Sequence, residues 1–261
     1  MADPARSARG GPPKSESAPL PAPPRDHSHA SRSLRPPRGW GAAGRGFAWS
    51  RVGKPLVVLL ALVPVARLVL GAVTDNLGAN PIEALEHGTG LWTLRFLAIT
   101  LAITPARKLT GWNWLAKYRR MLGLFTFFYA TLHLLVYAGL DMTLDVGDIV
   151  EDVVKHPYVT LGMLGWLLLV PLAVTSTTAW IRRLGGRRWA LLHRLVYVVA
   201  ALGTIHFYWL VKKDVSEPLF YAGVFGVLLG YRALASVARR RRAARAVPAA
   251  RAGDRVAAAN G

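Results

Sequence analysis

Arg187–Lys213, RRWALLHRLVYVVAALGTIHFYWLVKK, is an apolar run long enough to cross a bilayer, and it carries histidines at 193 and 206. At a helical rise of ~1.5 Å per residue the two imidazoles stand roughly 20 Å apart along one helix, one near each leaflet. Ionisable side chains are expensive inside a membrane and mark sites that face other helices rather than lipid. A neutral imidazole is a common axial ligand of haem iron, and a haem held between two helices takes one ligand from each. The run therefore predicts a partner histidine on another span.

The composition agrees with a membrane setting. The 261 residues are 52% hydrophobic with a mean hydropathy of +0.29, and the apolar residues fall in membrane-length blocks. The net charge of +19 is concentrated at the ends: ten of the 33 basic residues lie in 1–54 and seven from Arg239 onward. Arginine-rich tails that flank spans act as topology signals and contacts to anionic membrane lipid, so no nucleic-acid partner is expected. The chain has no cysteine, which excludes disulfides, Cys-ligated zinc, iron–sulfur clusters and covalent c-type haem. Any haem is then of b type, held by side chains alone.

Residues 1–53 are rich in Pro, Ser, Gly and Arg without periodicity, and are expected to be a disordered tail in which His27 and His29 are solvated. The first span is Pro55–Val73, with Arg67 snorkelling from its far end. Thr74–Gly90 holds Asp75, Glu83 and Glu86 without Lys or Arg, and reads as an outside loop. A short second span, Trp92–Thr104, carries Arg95 and is closed by Pro105. The inside loop that follows holds Arg107, Lys108, Lys117, Arg119 and Arg120. Met121–Leu140, the third span, contains His133, and DMTLDVGDIVEDVVKHPY after it predicts a short amphipathic helix at the outer surface. The fourth span is Val159–Ile181, with Pro171 and the hydroxyls of Thr175–Thr178, which are expected to satisfy carbonyls or neighbouring helices. RRLGGRR is a tight inside loop, Arg187–Lys213 is the fifth span, and Leu219–Ala235 is the sixth, where Gly223, Gly226 and Gly230 predict close helix packing.

The inside loops hold nine Lys or Arg against three in the outer loops, which places both termini in the cytoplasm. The predicted fold is an all-α integral membrane protein, a bundle of six spans. A cytoplasmic tail (1–53), a six-span haem-binding domain (54–236) and a basic cytoplasmic tail (237–261) make up its organisation.

In this topology the third and fifth spans run in the same direction, so His133 and His206 share the outer half of the membrane and can face one another as ligands of a single haem iron. His193 has no histidine at its depth. Fourteen residues before His133, on almost the same helix face, stands Arg119. Three readings of His193 stay open: a second haem with an unusual or missing sixth ligand, a flavin or quinone site with Arg119 and Arg120, or a plain interfacial histidine. At ~100° per residue His193 and His206 point some 140° apart, so either the helix is distorted between them, with Gly203 a candidate, or they address different neighbours. His87 and His156 fall in outer loops and read as interfacial.

The segments NPIEALEHGTG, ITPARK, YRRMLGLFTFFYATLHLLVYA, VTLGMLGW, LAVTST, LHRLVYVVA, IHFYWLVKK and PLFYAGV resemble, in register, the MsrQ (YedZ) family of haem-binding membrane subunits of the protein-methionine-sulfoxide reductase system. The similarity spans about 79–232. It implies a six-span ferric-reductase-like bundle with b-type haem, one or two in number, and flavin mononucleotide (FMN). It also implies electron flow from the quinone pool or a cytoplasmic flavin reductase to a periplasmic, molybdopterin-containing catalytic subunit that repairs oxidised envelope proteins, in the bacterial inner membrane. Related oxidases carry two histidines on each of two helices, and Arg119 departs from that pattern. A ferric-chelate or superoxide-producing reductase is the nearest alternative; such proteins usually continue into a nicotinamide domain, and no G-x-G-x-x-G follows Ala235 here. A proton-coupled transporter is the alternative of another class, and would be colourless.

Overall fold

The computed structural model describes residues 43–211 and 213–259, with side chains for 52–211, 213–241 and 244. His27, His29 and nearly all of the amino-terminal tail lie outside the described residues. Among the described residues there is no strand; the elements are α1 (Ala43–Val73), α2 (Pro81–Thr110), α3 (Arg119–Val136), α4 (Val146–Lys155), α5 (Pro157–Val174), α6 (Thr178–Leu192), α7 (Leu195–Leu210) and α8 (Ser216–Ala259). Among the described residues five helices are long and apolar enough to cross a membrane, and six spans result if α6 and α7, bent by 40° at a short break, count as one. Leu59, Leu60 and Leu70 on α1 are 64%, 61% and 63% exposed, a surface that suits lipid and not water. This is a membrane protein of transmembrane helices.

The second span is longer than its apolar run. Asn80 caps α2 by accepting from the Glu83 amide at 3.3 Å, its own amide donates to the Glu83 carboxylate at 3.1 Å, and Pro81 fills the first turn. Pro81–Gly90 is therefore helix, not the predicted loop. Nor does Pro105 end the helix. Proline removes the N–H that would pair with the Leu101 carbonyl, and the guanidinium of Arg232 on α8 donates to that carbonyl instead, at 2.8 Å. The helix runs on to Gly111, whose φ of 75° and N–H to the Arg107 carbonyl close it.

α2 is the central helix. It forms its most extensive pairing with α3, while α5 and α7 form the second such pair. Leu91, Leu94, Leu97 and Leu101 of α2 meet Leu169 of α5, Val199, Ala200 and Phe207 of α7, and Tyr221 and Phe225 of α8 in the main core. Arg95, a charge within the second span, donates from Nε to the Tyr221 hydroxyl at 3.1 Å and lies over the Trp92 ring.

A second core joins α1 to α2 and α3 through Ala61, Phe96, Leu122 and Tyr129. Tyr129 is fully buried; its hydroxyl donates to the Ala61 carbonyl at 2.7 Å and accepts from the Val65 amide at 3.2 Å. These are the two groups that an unbroken helix pairs with one another, so the phenol is inserted into the α1 ladder beside Pro64. Tyr129→Phe is expected to cost about 1 kcal/mol and to loosen α1, read as a lower unfolding midpoint in detergent.

Three further features depart from the sequence reading. The fourth span ends at Val174, where Thr175 and Ser176 hydroxyls donate to the carbonyls of Pro171 and Leu172, each at 2.6 Å, and Thr177 caps α6. The fifth span is broken at His193 and Arg194, through the i→i−3 bonds Arg194 N to Leu191 O and Tyr197 N to Arg194 O, and passes Gly203 undistorted. Finally, among the described residues a Cβ at Gly223, Gly226 or Gly230 would meet nothing within 4 Å, so these glycines mark no close helix approach there. α8 itself continues past Ala235 to Ala259.

After α3 a π-type turn, Tyr137–Asp141, redirects the chain. Asp145 then caps the predicted amphipathic helix, α4, by accepting from the amides of Gly147 and Asp148. Tyr137 donates to Asp152 at 2.6 Å, and His156 pairs with the other Asp152 oxygen at 2.6 Å, tying α4 to the end of α3 and the start of α5.

Candidate functional site

His133 lies on α3 and His206 on α7, helices that are not paired with each other but are each half of a pair. The structure brings the two imidazoles together, with ring centroids 6.1 Å apart and planes at 76°. His133 Nδ1 lies 3.0 Å from the Glu86 carbonyl of α2, and His206 Nδ1 lies 2.7 Å from the Tyr158 carbonyl of α5. A carbonyl can only accept, so in each ring Nδ1 carries the proton and Nε2 keeps its lone pair. Thr89 Oγ1 stands at 3.4 Å from His133 Nδ1 as a second neighbour. Neither Nε2 has a hydrogen-bond partner among the described residues.

This donor set fits a haem iron. Metal–imidazole bonds of ~2 Å would place two ligating rings with centroids on the order of 6 Å apart. A ligating histidine also usually donates its other N–H to a carbonyl, which fixes the tautomer and raises ligand basicity. No group of three or more His, Asp or Glu side chains suited to a metal ion occurs among the described residues, so the pair matches an axial set rather than a cage.

His193 sits at the α6–α7 break in a different environment. Its Nδ1 is 3.1 Å from the Trp189 carbonyl, its Nε2 is 3.4 Å from Ser176 Oγ, and its ring stacks on Trp189 with centroids 3.9 Å apart. Nδ1 donates to the Trp189 carbonyl, and since the one Ser176 proton goes to the Leu172 carbonyl, the Ser176 oxygen is only a neighbour of Nε2. Arg119 lies within electrostatic reach of His193 and also of Arg232, Tyr197 and Arg107. Arg120 reaches Thr178 Oγ1 at 3.5 Å. The arginine end of the bundle thus brings together Arg119 and His193, two of the three residues named from sequence, and adds Arg232.

Arg232 was not anticipated. It is held by the Tyr197 hydroxyl at 2.8 Å, the Leu101 carbonyl and Thr104 Oγ1 at 3.2 Å, and its Nε is buried without a partner. An arginine inside the apolar sixth span is the signal that could have singled it out. His87 and His156, read as interfacial, are both half-exposed and paired with acids, His87 with Glu217 at 3.3 Å and His156 with Asp152.

Residues 89–204 match the family described as ferric reductase like transmembrane component. Three similar proteins are each named protein-methionine-sulfoxide reductase heme-binding subunit MsrQ. That of Herminiimonas arsenicoxydans is 51% identical over 178 residues, 67% of this chain and 82% of the relative. That of Ralstonia nicotianae is 54% identical over the same shares, and that of Rhodospirillum rubrum is 53% identical over 73% of this chain and 92% of the relative.

Proposed function

This chain belongs to the MsrQ family of protein-methionine-sulfoxide reductase heme-binding subunits, and on that footing we propose that it is a membrane b-type cytochrome. It passes electrons from the quinone pool or a cytoplasmic flavin reductase to a periplasmic, molybdopterin-containing methionine-sulfoxide reductase subunit. The observation that carries this reading is the facing pair His133 and His206, with both Nδ1 atoms bonded to carbonyls and neither Nε2 paired among the described residues. We take these two as the axial ligands of one haem near the α4 end; the scarcity of Lys and Arg in the loops at that end supports reading it as the periplasmic face of the inner membrane. Bound haem would supply one-electron iron chemistry. The chain fixes the tautomers and ring orientations through the Glu86 and Tyr158 carbonyls.

Arg119, Arg120 and His193 at the cytoplasmic end are proposed to receive a second group. The arginines around His193, and the lack of a second imidazole at its depth among the described residues, favour a flavin, as FMN, or a quinone over a second haem. A phosphate or carboxylate there would gain charge-assisted bonds from arginine. Arg119→Gln is expected to lower flavin content or slow quinol-driven haem reduction with membrane insertion unchanged; normal flavin content and normal kinetics would sink the assignment.

The function itself is tested on the purified protein in lipid vesicles. A haem absorption spectrum that quinol reduces, followed by oxidation when the catalytic subunit and methionine sulfoxide are added, is the expected result. A colourless protein would overturn the proposal in favour of a transporter. A haem that reduces ferric chelates or oxygen but not the catalytic subunit would point to the oxidase-like alternative.

A further inference from the structure

Each of the two facing imidazoles rests on a glycine of the neighbouring helix. A Cβ on Gly90 would stand 3.3 Å from His133 Cε1 and 3.4 Å from Nδ1, and a Cβ on Gly162 would stand 3.0 Å from both Cε1 and Nδ1 of His206. The carbonyl that accepts from the same ring lies four residues earlier in each case, Glu86 before Gly90 and Tyr158 before Gly162. In an α-helix that carbonyl already accepts from the amide at position i+4, here the glycine's own N–H. The imidazole takes the second lone pair. It reaches that lone pair across the surface which a side chain at i+4 would cover, so the absence of Cβ and the available carbonyl form one notch. Carbonyl-to-histidine separations of 47 and 48 residues show the same arrangement in the α2–α3 pair and in the α5–α7 pair.

We infer that Gly90 and Gly162 are positioning residues: the two notches fix which nitrogen of His133 and His206 faces the iron and set the angle between the ring planes. This rests on the proposal that the two histidines are axial ligands. Glycine in membrane helices more often serves only to let backbones approach. At both positions, however, the nearest atoms belong to the imidazole and not to a facing backbone. A methyl group at Gly162 would leave His206 too close by a few tenths of an ångström; the ring must tilt or withdraw from the Tyr158 carbonyl. Either movement alters the present 76° between the planes. Near-perpendicular imidazoles give a low-spin ferric haem with a strongly anisotropic electron paramagnetic resonance signal, and both that signal and the midpoint potential respond to ligand-plane angle and to the Nδ1 hydrogen bond.

The test compares Gly162→Ala, Gly90→Ala and, as a control, Gly165→Ala, where a Cβ would meet only Leu202 at 3.9 Å. Haem per protein, the low-spin signal, the midpoint potential and the unfolding midpoint are measured on full-length protein in detergent. The expected result is a shifted largest g value and a shifted potential in Gly162→Ala, a smaller shift of the same kind in Gly90→Ala, and wild-type values in Gly165→Ala. Loss of haem from a glycine variant that still folds as the apoprotein also supports the notch. Wild-type signal and potential in both notch variants would overturn it, as would loss of folded protein in both with Gly165→Ala normal, which would make the glycines packing residues. His206→Ala separates the two levels: if it removes the spectrum while the notch variants look wild type, only the notch fails, whereas a wild-type spectrum in His206→Ala removes the ligand proposal beneath it.

Discussion

Haem per protein and the low-spin spectrum fall together, by at least ~10-fold, when either His133 or His206 is replaced by Ala. The magnitude follows from a lower bound: loss of a hydrogen-bond partner behind a metal-ligating histidine alone costs ~10–100-fold in metal affinity, and removal of the ligand itself costs no less. Among the described residues the remaining outer imidazoles are otherwise engaged. His87 is paired with Glu217 and tilted against Phe207, and His156 is paired with Asp152 at the surface. Electron delivery to the catalytic partner should collapse in both variants. His193→Ala should keep the spectrum, because its ring belongs to the Trp189–Ser176 cluster at the other end of the span. It should instead slow reduction from the donor side. A wild-type spectrum in His206→Ala, with loss in His87→Ala or His156→Ala, would show the assignment to be wrong.

The facing pair was legible in the sequence because membrane depth is readable. The distance of a histidine from the nearest charged boundary gives its height, and parallel spans bring equal heights together. What holds the rings was not legible, since the acceptors are main-chain carbonyls of Glu86 and Tyr158, and a carbonyl has no letter of its own. The start of α2 could have been read: Asn80, Pro81 and Glu83 are a helix cap, a first-turn proline and its reciprocal partner. The absence of Lys and Arg from that stretch instead suggested an outer loop, because charge reports the side of the membrane and not the local backbone. The break at His193 and Arg194 falls between Gly186 and Gly203 with no glycine or proline of its own, where the His193 ring stacks on Trp189 and lies beside Ser176.

Pro105 is the sharpest case, because its effect on α2 is cancelled by a residue far along the chain, and this gives the second large expected effect. Arg232→Met should cost ~3 kcal/mol, as the Leu101 carbonyl, the Tyr197 hydroxyl and Thr104 lose a donor in surroundings without water. Thr104 can turn back to its own helix and tyrosine can rotate, but Leu101 is wholly buried, and Pro105 offers its carbonyl no amide. Pro105→Ala restores that amide. In the Arg232→Met background the same replacement should therefore recover part of the loss, with a coupling of roughly 1 kcal/mol or more between the two positions. Unfolding of the four proteins of the cycle in detergent supplies the comparison. Additivity within about 0.5 kcal/mol would mean that the Leu101 carbonyl finds another partner, and that Arg232 sits in the sixth span for the sake of Tyr197 or a bound anion rather than to carry α2 through its proline.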